Sequence, residues 1–305
     1  VVMIDDKLVK KAYSKARYTA DQIEELRNCM HPDTGPMYFL ENFMYIQHPT
    51  KGRMLFTPYE FQKGLVDSYH NYRKSINMVS RQMGKSTVAA GYLLWYAMFI
   101  PDSTVLVASN KHDGALEIMQ RIRYAYESMP DHIRAGVVAY NKKSLEFDNG
   151  SRIIAQTTTG NTGRGLSLSL IYMDELAFVD QGIAKELWTS LSPTLSTGGK
   201  CIITSTPNIE DDQFAEIWFN ANKLTDEYGN ETEVGPNGFK PFFADWRSHP
   251  DRDDDWAEKE RNAVGEDKFK REHECLAGSS VVTIKLEDGT IKDVTLAELE
   301  EMLHE

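Results

Sequence analysis

The sequence predicts an α/β protein built on a mostly parallel sheet, with a small helical subdomain and a C-terminal β-hairpin tail. Three observations point there. Short β-branched runs alternate with helix-period segments through the middle of the chain, the stretch after them turns helix-rich, aromatic and acidic, and the last residues alternate around an Asp-Gly pair. At 305 residues, with 41% apolar and 10% aromatic side chains, the chain can bury a substantial core.

Before residue 75 the pattern is largely helical. The run DQIEEL reads as an N-cap at Asp21 with its first turn, and Pro58 stands where another helix opens. Five strand-like runs follow, at residues 75–79 (SINMV), 104–108 (TVLVA), 152–155 (RIIA), 168–173 (LSLIYM) and 200–204 (KCIIT). Helix-period segments at 87–100 and 112–128 separate several of them, as crossover helices of a parallel sheet would. Asn149-Gly150, after Asp148, is a hairpin-type turn just ahead of Ile153. From about 214 to 274 the chain is helix-rich, with DRDDDW (251–256) as a helix start and 226–237 as a surface loop. The expected organisation is a helical N-terminal subdomain over 1–50, a core over 51–212, a helical lid or linker subdomain over 213–274, and a tail over 275–305.

No apolar run approaches the ~20 residues that cross a bilayer, and the N-terminus shows no signal-peptide pattern, so a soluble protein without a membrane role is expected. Three scattered cysteines (Cys29, Cys201, Cys275) make neither a disulfide framework nor a CxxC metal site, which favours a reducing compartment. A net charge of −12 argues against a surface that coats nucleic acid all over, while local contact with DNA stays open. The last 31 residues contribute to that charge, with seven acids against two lysines.

The chemistry concentrates at three strand ends. The first run leads through RQMGKST (81–87) into a helix, the strand-loop-helix context of a phosphate cradle. Gly84 lets backbone N–H groups approach phosphates and the helix N-terminus adds positive potential, while Lys85 can reach the β/γ oxygens and Ser86 can ligate Mg²⁺. The first glycine of G-x-x-x-x-G-K-[ST] is Val79 here, and a helix that merely opens on GKST is the plainer reading of this motif alone. About 90 residues on, SLIYMDEL ends a strand in Asp174 and Glu175. One carboxylate suits water-mediated Mg²⁺ ligation and the next can polarise an attacking water. Taken alone, this is a buried strand followed by a capping acid. One strand later, KCIITSTPN ends in Thr204, Ser205 and Thr206, hydroxyls on the edge where open α/β sheets bind ligands.

SRQMGKST, LIYMDEL and IITSTPN, in this order and spacing, resemble the ATPase part of the large terminase subunits of tailed bacteriophages, nearest the T-even-like type. Those are DNA-packaging motors of the additional-strand P-loop NTPase class, and the resemblance runs from residue 56 to about 243. It implies ATP and Mg as cofactors, with Lys85 and Ser86 on phosphate and metal, Asp174 completing the metal site and Glu175 as catalytic carboxylate. Ser80, Gln82, Gly84 and Thr87 would be the remaining contacts of the loop. Arg81 is similar to an arginine that acts in cis on the developing charge, with a loop-anchoring cation as the alternative. Gln62 in TPYEFQKGLV matches a glutamine that reads adenine through its two-sided amide; a surface helix glutamine is the alternative. The Thr204-Ser205-Thr206 triplet would couple hydrolysis to movement, and Arg164 in TGRGL is a further γ-phosphate candidate. The implied function is ATP-driven translocation of double-stranded viral DNA into a procapsid in the host cytoplasm. The implied partners are a portal protein and a small terminase subunit, and the implied assembly is a homo-oligomeric ring, a pentamer.

The tail CLAGSSVVTIKLEDGTIKDVTLAELEEML resembles the opening block of an intein, with Cys275 as its first residue and as a nucleophile on the Glu274 carbonyl. Residues 280–286 and 290–294 would form a hairpin about Asp288-Gly289, and Thr295 would cap a short helix. The later Thr-x-x-His block and terminal Asn of inteins do not follow Cys275. The expectation is therefore the N-terminal fragment of a split intein, with the complementary piece and a nuclease on another polypeptide. The competing readings are a hairpin belonging to the ATPase itself, a helicase-like ATPase, and a non-hydrolysing nucleotide-binding module.

Overall fold

The structure is a computed structural model that describes residues 8–196, 198–208, 212–275, 281–286, 290–295 and 302. In chain order the first half comprises α1 (Ala20–Cys29), α2 (Gly35–Phe43), a β1–β2 hairpin (Tyr45–His48, Gly52–Leu55), α3 (Glu60–Asn71), β3 (Lys74–Val79), α4 (Lys85–Phe99), β4 (Thr104–Ser109) and α5 (His112–Ser128). Then come β5 (Val137–Tyr140), β6 (Ser144–Phe147), β7 (Arg152–Thr157), β8 (Leu170–Asp174), α6 (Gln181–Ser196), β9 (Lys200–Ser205), α7 (Gln213–Ala221) and β10 (Lys240–Ala244). After α8 (Asp254–Val264) and α9 (Glu266–Phe269), a π-helical turn over Lys270–Glu274 leads to the hairpin of β11 (Val281–Lys285) and β12 (Ile291–Thr295).

One eight-stranded sheet runs β10-β3-β9-β8-β4-β7-β6-β5, parallel from β10 to β7 and antiparallel only through β6 and β5. Its alternating residues feed two apolar layers. Leu170, Tyr172 and Ile202 pack with α2 to α5 on one face, while Ile171, Met173, Cys201 and Ile203 pack with α6 and α7 on the other. Helix α4 (KSTVAAGYLLWYAMF) lacks a polar face because α2, α3 and α5 cover its outer side and the sheet its inner side. Such close layering leaves no room at Gly35, where a Cβ would lie 2.3 Å from the Cys29 carbonyl oxygen. A third, smaller core of Trp246, Trp256, Ala257 and Phe269 holds α8 and α9 together.

The five expected strands and both crossover helices are present, and the Asn149-Gly150 turn joins β6 to β7. Boundaries differ for physical reasons. The α1 N-cap is Thr19, not Asp21, because Thr19 and Gln22 exchange side-chain and backbone hydrogen bonds in a capping box. Pro58 precedes its helix rather than opening it, and α3 begins after an extended Tyr59 whose N–H donates to Gln62 Oε1. Strand β8 starts at Leu170 and takes in Asp174. Sequence reading missed the β1–β2 hairpin, the short strands β5 and β6, and β10. This last strand lies within the stretch read as helical, yet it pairs with β3 and extends the main sheet. Its Pro241 fits only because β10 is an edge strand. The β11–β12 hairpin has the expected antiparallel pairing; its Asp288-Gly289 turn and the helix expected after Thr295 lie outside the described residues.

Leu94, fully buried in α4, belongs to the larger apolar layer, so Leu94→Ala should destabilise the fold by about 2–5 kcal/mol in urea unfolding. A loss under about 1 kcal/mol would show that α4 is not the central packing element.

Candidate nucleotide site

Parallel pairing brings three strand tips to one edge. Met78 of β3 lies beside Ser205 of β9, and Asp174 of β8 lies beside Thr204, so the loop after β3, the acids after β8 and the hydroxyls of β9 converge. The loop from Ser80 to Gly84 turns through two left-handed residues, Gln82 (φ 59) and Gly84 (φ 75), before α4 starts at Lys85. A Cβ at Gly84 would meet the Gln62 amide nitrogen at 2.8 Å, so that close approach requires glycine as well. The Gly84 carbonyl accepts from the N–H groups of Thr87 and Val88 (both 3.0 Å), and the N–H groups of Lys85 and Ser86, at the very start of the helix, have no carbonyl one turn earlier within it, the local condition for holding an anion.

Lys85 is buried and its Nζ lies 2.6 Å from Glu175 Oε1, which ties the loop to the β8 tip. Glu175 adopts a left-handed backbone (φ 54). Its N–H donates to the Thr204 carbonyl (2.8 Å), and its Oε2 lies 3.3 Å from Ser205 Oγ and 3.5 Å from the Thr206 N–H. Asp174 is buried beside it, with Oδ1 near the hydroxyls of Thr204 (3.0 Å) and Tyr172 (3.1 Å). Burial, followed by the adjacent Glu175 charge, lifts the Asp174 carboxyl above its ordinary range, opposed by Lys85 and the two hydroxyls.

The other candidate residues distribute around this centre. Gln62 is buried, its Oε1 accepting from the Tyr59 N–H at the start of α3 and its Nε2 donating to the Met83 carbonyl (3.0 Å), so it braces the loop after β3. Gln62, Gln82, Gly84 and Thr87 line a cavity of about 930 Å³, whose wall includes Tyr59 packed against His249 with ring centroids 4.7 Å apart and planes tilted by 56°. Thr87 Oγ1 accepts from Arg121 (2.9 Å), and Ser86 sits in the first turn of α4. The half-exposed Arg81 side chain is held by Glu272 (2.8 Å). Arg164 lies exposed in the loop between β7 and β8, bonded to Asn161 Oδ1 (2.6 Å).

Cys275 is buried against the same centre. Its backbone is left-handed (φ 57), and burial pushes its thiol up to about 12, with Lys85 opposing and Asp245 and Glu175 adding to the rise. In this arrangement the thiol is neutral, the reverse of what a nucleophile needs.

Sequence reading missed the residues that clamp the loop from far along the chain. Ser80 N–H donates to the Ala244 carbonyl (2.9 Å), and Arg81 N–H donates to the Glu272 carbonyl (2.8 Å). Arg252 donates to the carbonyls of Arg81 (3.3 Å) and Gln82 (3.1 Å). No local pattern marks such residues. Tyr172 was within reach of strand alternation, since it stands two positions before Asp174 and shares its face.

A family model described as terminase large subunit, T4likevirus-type, N-terminal, matches residues 76–291. The chain belongs to this family. Among solved structures, it is similar to the large terminase ATPase domain of Thermus phage P74-26, in the mutant R139A, with 20% identity and a TM-score of 0.56 over 72% of this chain and 94% of that one. It is also similar to the HK97 bacteriophage large terminase, with 15% identity and a TM-score of 0.59 over 85% and 66% of the two chains. The large terminase of thermophilic bacteriophage D6E in complex with ADP matches at 12% identity and a TM-score of 0.55, over 72% of this chain and 53% of that one. These likenesses show the α/β fold with a mostly parallel central sheet, and the chain spans about half the length of the D6E protein.

Because folding raises the Asp174 pKa, the charged carboxylate costs stability above that raised value, and the cost fades as pH falls through it. Asp174→Asn should therefore raise the thermal midpoint at pH 7, by roughly 2–4 °C, and the gain should shrink on acidification in thermal melts. A lower midpoint at pH 7 would mean that hydrogen bonding, not burial, governs this carboxyl.

Proposed function

We propose that this chain is the ATP-hydrolysing motor part of a viral DNA-packaging terminase. The observation that carries the reading is the Lys85–Glu175 contact at 2.6 Å, which joins the phosphate-loop lysine to the strand-end carboxylate. Lys85 and the first turn of α4 bind the phosphates, and Glu175 orients and polarises the attacking water. The left-handed turn, the Glu175 N–H bond to the Thr204 carbonyl and the contacts of Oε2 with Ser205 Oγ and the Thr206 N–H hold Glu175 still, so little reorganisation is needed at the moment of transfer. Arg81, once it leaves Glu272, supplies positive charge to the leaving phosphates. The base enters the cavity of Gln62, Tyr59 and His249.

Ser86 and Asp174 suit magnesium. Asp174 keeps Oδ2 clear of its two hydroxyl neighbours, and no group of three or more His, Cys, Asp or Glu gathers among the described residues, as fits an ion held mainly by phosphate and water. When bound, the ion neutralises charge on the β and γ oxygens.

On this reading the motor moves double-stranded viral DNA into a procapsid in the host cytoplasm. It acts as a five-membered ring with a portal protein and a small terminase subunit. Non-hydrolysing binding is the competing function, and Glu175→Gln separates the two. It should keep ATP binding by fluorescence titration while lowering phosphate release by about 10²–10⁴-fold. Unchanged turnover would remove Glu175 from its role.

We further propose that Cys275 opens the N-terminal fragment of a split intein that joins the motor to a nuclease half carried on another polypeptide. The left-handed break at Cys275, followed by the β11–β12 hairpin, supports this. The family match running to residue 291 favours a hairpin native to the terminase instead. Mixing with a complementary intein fragment decides between them. Ligation seen by mass, and lost in Cys275→Ala, is the expected outcome, and ligation that survives the substitution would end the splicing proposal.

A further inference from the structure

Tyr172 is fully buried on β8, two residues before Asp174 and on the same face. The β8–β9 pairing sets Thr204 beside Asp174, so the phenol, the threonine hydroxyl and the carboxylate meet in one pocket. The three oxygens form a triangle. Tyr172 Oη lies 2.6 Å from Thr204 Oγ1 and 3.1 Å from Asp174 Oδ1, and Thr204 Oγ1 lies 3.0 Å from the same Oδ1.

Two hydroxyl protons must serve three close contacts. If both pointed at Oδ1, two hydroxyl oxygens would face each other at 2.6 Å with no proton between them, which is repulsive. One hydroxyl therefore donates to the other, and that one donates to the carboxylate. Both possible chains, Tyr172 to Thr204 to Asp174 and Thr204 to Tyr172 to Asp174, run through the phenol. Both engage Oδ1 and leave Oδ2.

We propose that Tyr172 is a positioning residue for Asp174. Its phenol, with Thr204, locks the carboxylate so that Oδ2 is presented to the hydrated magnesium ion, and it links the hydroxyl triplet of β9 to the metal carboxylate. The proposal rests on the reading of Asp174 as the magnesium carboxylate. A phenol kept only for packing would be replaceable by phenylalanine without effect on the ion. Groups that orient a metal-binding residue typically change metal affinity by about 10–100-fold when removed.

The test uses the full chain and ATP-γ-S, so that turnover is not the readout. Nucleotide binding is titrated against Mg²⁺ and, separately, measured in EDTA. Tyr172→Phe should raise the half-saturating Mg²⁺ concentration about tenfold, with binding in EDTA unchanged, and Thr204→Val should shift it the same way. The control is Tyr69→Phe, which removes a neighbouring buried phenol whose hydroxyl has no hydrogen-bond partner among the described residues and which should leave both curves in place. Three results overturn the proposal. In the first, Tyr172→Phe stays within twofold of the wild type while Asp174→Asn shifts the Mg²⁺ curve. In the second, Tyr69→Phe produces the same shift, which would assign the effect to packing. In the third, Asp174→Asn leaves the Mg²⁺ curve unchanged, which removes the metal reading itself and this inference with it.

Discussion

A lysine buried to 7% exposure cannot stand alone, and Lys85 meets its requirement through the Glu175 carboxylate 2.6 Å away. That contact constrains the rest of the site. It demands that the loop after β3 and the acids after β8 share one edge of the sheet although β9 lies between their strands, which parallel pairing alone achieves. It also leaves the two acids unequal. Glu175 has a cation and sits at the rim, while Asp174, one residue back and deeper, has two hydroxyls and a raised pKa. Adjacent carboxylates thus differ through their surroundings, the difference that the proposed division of work between a cation and a water requires.

The second constraint comes from the segment after β9. Its strand β10 pairs with β3, so Ala244 can accept from Ser80 N–H. The loop before α8 brings Arg252, and the π-helical turn brings Glu272, back onto the loop after β3, and Glu272 also takes the Arg81 guanidinium. Arg252 and Glu272, 170 or more positions away, therefore hold this loop through its carbonyls, the Arg81 N–H and the Arg81 guanidinium. If Arg81 turns to a bound phosphate as proposed, it leaves Glu272 and loosens this clamp, which would link the site to the chain that leaves it.

How much of this was legible depends on the range of the interaction. The strand-loop-helix at 75–87, the β8 acids and the β9 hydroxyls are local patterns, legible because each strand is a short run buried on both faces along nearly its whole length. Strand β10 was hidden because Lys240-Pro241 argues against a strand unless the edge position is known, and β5 and β6 are only four residues each. Arg252 and Glu272 were invisible for another reason: an arginine among aspartates and a glutamate in a basic run look like solvated surface until the fold sets them against the loop. Thr19 lost to Asp21 in the reading of α1 although the Thr19–Gln22 pair was present in the sequence, which was an error of weighing rather than of information.

If Cys275 is the splicing nucleophile proposed above, its position sets the needs of the two activities against each other. Its thiol is buried among Lys85, Asp245 and Glu175, and the π-helical turn before it is fastened to the loop through the Glu272 carbonyl. Burial of this kind favours the neutral thiol; Lys85, the strongest of the charges around it, opposes that, while Asp245 and Glu175 act on the side of burial, which dominates. A thiolate at Cys275 therefore requires that the 270–275 segment lift away from the phosphate loop, which breaks the Arg81–Glu272 and Ser80–Glu272 bonds that brace the motor site. The arrangement that clamps the nucleotide loop and the one that would activate the cysteine exclude each other, so any partner that recruits the tail must first supply the free energy of undoing that clamp.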